Sequence, residues 1–346
     1  MNNIFPSGDL YIADSHLDLA YDLCRQRSYG RRNCLTQDYL SDWISSNVRL
    51  IISSLYVDNH FLPESGLREA LRQLEALRCE IEESRSHFML VNSKNSLIQA
   101  RQEGKIGILI SFEGIEPIAN HLDLLSTFRR LGVSGVGICW ARRNAAADGS
   151  NFVTPPQGHE LGLHTFGYEL LDEIHRLHMY PDTSHMNEAG FWDLLDFSKV
   201  IPMQSHGNAR ALNDTDRNSS DRQICALIER GGYFGVNAMN FTVSDGTGLT
   251  EDISGYAEHI LHIAHLGGIS HVGLGLDFND QILKYISQDQ LSLLPRRPFD
   301  CLSGYLDIPK LYDELRKRDL SHTEISKVFG ENLYDYLLKV LPEDSI

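Results

Sequence analysis

Residues 106–113 read Ile-Gly-Ile-Leu-Ile-Ser-Phe-Glu (IGILISFE), an apolar run that ends on a carboxylate. A short, nearly unbroken apolar run reads as a strand buried on both faces, as in a parallel sheet. A carboxylate closing such a run is costly unless it is paired or coordinated. The same design recurs outward from this stretch in both directions. LYIA (10–13) leads to His16, MYPDTS (179–184) to His185, VIPMQS (200–205) to His206 and HVGLGL (271–276) to Asp277.

Strands are expected at 10–14, 48–57, 106–113, 134–140, 179–184, 200–205, 233–239 and 271–277. Helix-period segments lie between them, the clearest at 64–84. There Leu67, Ala70, Leu71, Leu74, Leu77 and Ile81 form one apolar stripe, read as packing against a barrel. Eight strands alternating with helices is the pattern of a closed (β/α)8, TIM-like barrel, in which the carboxyl ends of all strands meet at one mouth. Residues far apart in sequence would therefore converge there. The 346 residues, 42% of them apolar, are expected to form one barrel domain over 1–346. Two closing helices are expected over 308–341. The long polar connections 149–163 (Pro155, Pro156, Gly158) and 279–304 (Pro295, Pro298) should lie over the mouth. Pro181 and Pro202 are expected at strand starts, because proline cannot donate to a ladder.

A net charge of −16 argues against nucleic acid, whose phosphates need a positive footprint. The first residues, MNNIFPSGDLYIADSHLDL, lack a basic segment followed by an apolar one, so no signal peptide is expected. With no apolar run of membrane-spanning length, a soluble cytoplasmic protein is the expectation. The six cysteines (24, 34, 79, 139, 225, 301) form no CxxC pair and read as reduced, packed thiols, Cys139 among the core.

Asp14-Ser-His16-Leu-Asp18 places His16 and Asp18 two apart at a strand end, where both could hold one ion. Glu113 is suited to bridge two cations, its rival reading being a salt bridge to an arginine. His185 and His206 follow adjacent strands and should be neighbours around the ring. Imidazole and carboxylate ligands together suit zinc, with other divalent transition metals as alternatives. Asp277 is a candidate proton shuttle, or an ordinary helix N-cap. Arg217 could pair with a substrate carboxylate, or make an exposed salt bridge. His259, His262 and His265, three apart on a helix, spread over about 120° and cannot easily share one ion. They read as partly solvated helix positions. Gly273-x-Gly275 reads as tight barrel packing.

Taken together, DSHLDL, SFEGIEP, LLSTFRRLGVSGVGICWARRNAAAD, GLHTFGYELLDEIHRLHMYPDTSH, SHGNARAL with DRN following, ERGGYFGVN, HVGLGLDF and FGENLYDYL run in order over almost the whole chain. In this set the chain resembles the zinc-dependent membrane (renal-type) dipeptidase family and its soluble bacterial relatives. The resemblance implies an amidohydrolase-like (β/α)8 barrel with two zinc ions that cleaves dipeptides, including some with a D-residue at the C-terminal side. It implies that His16 and Asp18 hold one zinc, His185 and His206 the other, and that Glu113 bridges them. A hydroxide bridging the ions would attack the scissile carbonyl. Asp277 falls where the family has its acid/base aspartate, Arg217 where it binds the substrate's terminal carboxylate. A homodimer is implied by the resemblance alone.

Two positions depart from the family pattern. Trp140, in ICWARRN, stands where the family commonly has a histidine that contacts the substrate carbonyl. Trp can donate one N–H and cannot carry a proton. Asn279, in DFND, replaces the second acid of a D-F-D-G motif. These departures keep open a specialised amide, lactam or lactone hydrolase on the same metal site, and beyond it a non-catalytic barrel that binds without turning over.

Overall fold

The computed structural model describes residues 10–150, 161–286, 291 and 296–345. Nine parallel strands form the sheet: β1 (Ile12–Leu17), β2 (Val48–Tyr56), β3 (Phe88–Val91), β4 (Ile106–Glu113), β5 (Val133–Gly137), β6 (Tyr180–Asp182), β7 (Met203–Gly207), β8 (Tyr233–Val236) and β9 (Val272–Leu274). The order β2-β1-β9-β8-β7-β6-β5-β4 closes through a β2–β4 ladder that runs from Leu50↔Gly107 to Tyr56↔Glu113. This is the expected closed eight-stranded barrel. β3 stands outside the ring and pairs with the first half of β4.

Side-chain alternation explains which residues reach the mouth. Along β4, Ile106, Ile108, Ile110 and Phe112 pack outward with the helix layer, while Leu109 packs inside with Leu50, Ile52 and Ala13. Glu113 continues the inward series, and Tyr56, its register partner on β2, continues the series of Leu50 and Ile52. The helices around the ring include α1 (Leu19–Ser28), α2 (Gly66–Glu83), α3 (Lys94–Gln102), α4 (Leu122–Arg130), α5 (Thr165–Arg176), α6 (Glu188–Phe197), α7 (Asp221–Glu229) and α8 (Ile253–Gly267). α2 confirms the strongest helix expectation with one correction. Ala70, Leu74, Leu77 and Ile81 are buried, but Leu67 and Leu71 are 37% and 38% exposed, because the helix turns them away from the barrel.

The closing segment differs from the two helices expected. Helices α9 (Ile308–Lys317), α10 (His322–Ser326) and α11 (Asn332–Val340) are present, with a π-helical stretch Lys327–Glu331 joining the last two. α11 stoppers the floor of the barrel, where the Tyr336 ring lies 6.0 Å from both Tyr180 and Tyr233. Pro202 precedes β7 as expected, whereas Pro181 sits mid-strand in β6, which spans only Tyr180–Asp182. Gly273 and Gly275 are packing positions: a Cβ would lie 2.2 Å from the Tyr233 hydroxyl in one case and 2.0 Å from the Ser205 carbonyl in the other.

β1 and β9 meet at a single registered pair, Asp14↔Leu274. Side chains complete this seam. Asp14 Oδ1 accepts from the backbone N–H of His16 (3.2 Å) and Leu276 (2.9 Å), and Ser15 Oγ donates to the Leu274 carbonyl (2.8 Å). The Asp277 N–H donates to the His16 carbonyl at 3.2 Å. Of the two long connections, 151–160 with Pro155, Pro156 and Gly158, and 292–295 with Pro295, lie outside the described residues. The described flanks return to the mouth through the Gly149↔Met186 and Met239↔Asp300 bridges.

Candidate metal centre and active site

All six donor residues read from the sequence come together at the mouth. His16 is the penultimate residue of β1, where an irregularity between Asp14 and Leu17 resets the alternation and lets both Ser15 and His16 face the interior. Asp18 is not on the strand, as its spacing suggested, but is the N-cap residue of α1, where its side chain makes no capping bond. It accepts instead from Ser54 Oγ on β2. Glu113 is the last residue of β4, His206 lies within β7, and His185 and Asp277 follow β6 and β9. These last two have left-handed backbone, φ +65° and +52°, a conformation that costs on the order of 1–3 kcal/mol outside glycine. Such strain persists where the surroundings hold a side chain in place, here at two positions of one site.

The distances are short. His185 Nε2 lies 2.9 Å from Glu113 Oε1 and 2.9 Å from His206 Nε2. His16 Nε2 lies 3.5 Å from Glu113 Oε2 and 3.7 Å from Asp277 Oδ1. Donor atoms of His16, Glu113 and His206 fall within 4.8 Å of one another, as do those of His16, Asp18 and Asp277. The two groups share His16.

Electrostatics favour a cation here. Burial pushes Glu113 up to about 8, against the pull of Arg217. Burial and the neighbouring Glu113 charge raise Asp18 to about 7, and burial raises Asp277 to about 7. Burial, with nearby positive groups, holds His185 and His206 well below the usual imidazole range, so both keep lone pairs. Among the described residues, buried His16 Nε2 and Glu113 Oε2 make no hydrogen bond. Carboxylates and neutral imidazoles crowded in a dry pocket repel one another unless a cation intervenes. The donor set of carboxylate oxygens and imidazole nitrogens fits zinc.

A supporting layer that sequence reading missed sets the imidazole of His206. Ser205 Oγ donates to Asp182 Oδ2, so it accepts from His206 Nδ1 at 2.8 Å. The proton then resides on Nδ1 and the Nε2 lone pair faces the cluster, the arrangement metal-binding histidines require. Asp182 Oδ1 also accepts from the Ser184 N–H (3.0 Å) and Ser205 N–H (2.9 Å). Asn237, just past β8, donates from Nδ2 to Asp277 Oδ2 at 2.8 Å and is itself held by Asn208 Oδ1 on its N–H. The recurrence of a polar residue just beyond another strand was the available signal for Asn237.

Arg217 is buried rather than exposed at the surface, 3.1 Å from the His206 carbonyl and 3.4 Å from His185 Nε2 through one guanidinium nitrogen. Trp140 is half-buried beside the cluster, its ring centroid 5.8 Å from that of His185. Asn279 hydrogen-bonds Asp300: Nδ2 donates to Oδ1 (2.8 Å) and the N–H to Oδ2 (2.9 Å). An acid from the far end of the same connection thus stands beside position 279. His259, expected partly solvated, is fully buried; it accepts from the Ala209 N–H (3.1 Å) and contacts the Val243 carbonyl (2.9 Å). His262 pairs with Asp221 at 2.8 Å, so the two histidines serve separate structural roles. All six cysteines are free, and Cys139 is buried as expected. A groove of about 720 Å³ on the outer face of α1 and α2 is lined by Cys24, Leu67, Leu71 and Cys79 among others and shares no residue with the cluster.

Residues 8–343 match the family model of the membrane dipeptidases, peptidase family M19. The chain belongs to this family. Among curated relatives, it is similar to dipeptidase verJ of Clonostachys rogersoniana, 27% identical over 268 residues, covering 78% of this chain and 64% of that one. An uncharacterized dipeptidase of Schizosaccharomyces pombe, C965.12, is 30% identical over 218 residues, covering 63% and 52%. The chain thus spans less than two thirds of the length of these relatives. Among solved structures, the M19 metallopeptidase dipeptidase AC superposes with a TM-score of 0.84 at 23% identity, covering 96% of this chain and 99% of that one. A metallopeptidase from Rhodobacter sphaeroides, liganded with a phosphinate mimic of L-Ala-D-Ala, gives 0.83 at 22% identity, covering 96% and 100%. At these identities the structural likeness establishes the shared barrel. No described helix is long and apolar enough to cross a membrane.

Proposed function

We propose that this M19 chain is a metal-dependent dipeptidase carrying two zinc ions, with His16, Asp18, Glu113, His185 and His206 as ligands and Glu113 shared between the ions. The convergence of these donors with Asp277 and Arg217 at one barrel mouth carries the reading. When bound, the cations supply Lewis-acid polarisation of the scissile carbonyl and activation of the attacking water. The chain's own residues do the rest. Asp277, 3.7 Å from His16 Nε2 and steered by Asn237, takes up the proton released by water and returns it to the departing amine. Arg217 pairs with the terminal carboxylate of the substrate; burial opposes its charge while Asp277 and Glu113 support it, and a substrate carboxylate would support it further. Ser205 and Asp182 hold His206 in the metal-binding tautomer.

The substrate is a small dipeptide, with a D-residue accepted at the C-terminal side. The test combines elemental analysis with a panel of L,L and L,D dipeptides on protein stripped of metal and reloaded with zinc or manganese. Two equivalents of metal and metal-dependent hydrolysis are expected; a metal-loaded chain that cleaves no member of the panel overturns the reading. A second reading, a lactam, lactone or specialised amide hydrolase, is favoured by Trp140 at the carbonyl-contacting position. Faster turnover of cyclic amides or esters than of any dipeptide would select it.

A further inference from the structure

An aromatic wall runs from the donor cluster across one side of the mouth. Trp140 stands 5.8 Å from His185 and 5.3 Å from Tyr56, Tyr56 stands 6.0 Å from Tyr21, and Tyr21 stands 6.0 Å from Tyr285, centroid to centroid. These four rings come from the segments after β5, at the end of β2, in the first turn of α1 and after β9. Tyr21 and Tyr56 are nearly buried, 5% and 7% exposed, and form the floor. Trp140 and Tyr285 are half-buried and form its open rim.

Arg142 fixes the rim. Its guanidinium carbon lies 4.9 Å over the Trp140 ring. The same group donates from Nε to Glu116 Oε1 (2.8 Å) and from its terminal nitrogens to Asn59 Oδ1 (3.1 Å) and the Val57 carbonyl (2.8 Å). Its charge is matched by Glu116 and each of its three nitrogens donates to the protein, so it acts on a ligand through the indole it stacks on.

The wall and the carboxylate anchor occupy different arcs. Arg217 lies beside β6 and β7 at His185 and His206, while the four rings follow β5, β2, β1 and the β9 connection. A dipeptide with its carboxylate on Arg217 and its scissile bond over the donor cluster would lay its amino-terminal side chain on the rings. We propose that the preferred substrate carries an aromatic or bulky apolar side chain on its amino-terminal residue, held by the Trp140–Tyr56–Tyr21–Tyr285 wall, with Arg142 as the positioning residue for Trp140. This rests on the dipeptidase reading above and adds to it a substrate class. An offset or edge-on ring pair and the removal of a large apolar side chain from water both favour it.

The experiment compares kcat/KM of the zinc-loaded full chain on L-Phe-L-Ala, Gly-L-Ala and L-Asp-L-Ala. Preference for L-Phe-L-Ala over Gly-L-Ala is expected on the order of 10–100-fold, the range one apolar pocket supplies. In W140L and R142M that ratio should collapse several-fold; loss of folded protein lowers both rates together and leaves the ratio unmoved, so the ratio isolates the wall. A wild-type ratio near one overturns the proposal, as does a preference for L-Asp-L-Ala, which would make Arg25, 4.9 Å over the Tyr21 ring, the reader of the side chain. A large ratio that survives W140L and R142M removes the wall from it. Failure to cleave any of the three, with metal bound, refutes the dipeptidase reading itself and takes this inference with it.

Discussion

Asp300→Asn isolates one half-buried carboxyl outside the donor cluster whose ionisation the fold resists. Burial, opposed by the two hydrogen bonds from Asn279, raises Asp300 from 3.8 to about 7. An acid raised in the folded state binds more protons there than when unfolded, so its stabilising contribution is full below pH ~4 and is lost as pH rises through about 7. A shift of about 3 units corresponds to ~4 kcal/mol, and screening through the partly exposed face of the carboxyl reduces this to roughly 2–4 kcal/mol. An unfolding entropy of about 2.1 cal/mol/K per residue gives ~0.7 kcal/mol/K for a chain of this size, so the effect amounts to roughly 3–6 °C in Tm. The amide variant cannot titrate and should not show this loss. Urea and thermal unfolding of wild type and D300N, metal-free, at steps from pH 5 to pH 8 would measure it. The wild type should lose stability relative to the variant as pH rises. A difference that is flat with pH, or that moves in favour of the wild type, refutes the assignment of a raised acid at Asp300.

Asp277→Asn should retain bound metal by elemental analysis while lowering kcat on the order of 10²–10⁴-fold; unchanged turnover would exclude Asp277 as the proton carrier. Arg217→Ala should raise KM for dipeptides far more than for their carboxyl-amide analogues, and an equal loss on both would contradict carboxylate pairing. Ser205→Ala frees the Nδ1 proton of His206 from its acceptor, and an affinity for zinc reduced about 10–100-fold, read by competition with a chromogenic chelator, is expected. Gly275→Ala would press a Cβ to 2.0 Å from the Ser205 carbonyl, a backbone atom that cannot swing aside. A loss of about 3 kcal/mol or more in urea unfolding is expected, and a neutral result would show that the β7–β9 spacing can relax.

The ring strands were legible because burial on both faces leaves unbroken apolar runs, and the donors because each breaks such a run at its end. β3 was not. Its four residues, Phe88–Val91, are only half buried and lie outside the ring, so they carry no comparable run. Asp182 was read as part of the lead-in to His185, since a strand of three residues has no periodicity to set apart a supporting acid. Asp300 was invisible for a different reason: its partner Asn279 stands 21 residues earlier, across a connection with no regular pattern. The histidines of α8 show the limit of helix geometry. Their angular spread argued against a shared ion, but burial of His259 depends on the Ala209 and Val243 backbone that packs over it. The wall of rings also escaped notice, because Tyr21, Tyr56, Trp140 and Tyr285 share no spacing and meet only when the ring closes.

The β1–β9 seam has a consequence for how the molecule holds itself shut. Its two strands, bonded across 262 positions of sequence, share one registered pair, and His16, Asp18 and Asp277 straddle it. A cation held by His16 and Asp18 would face the Asp277 carboxylate across the seam and act as a clasp, drawing the earliest strand to the latest where the backbone ladder is down to one registered pair. Gain of metal would then register as slowed amide exchange in Ile12–Leu17 and Val272–Leu274 before any other part of the wheel of strands responds.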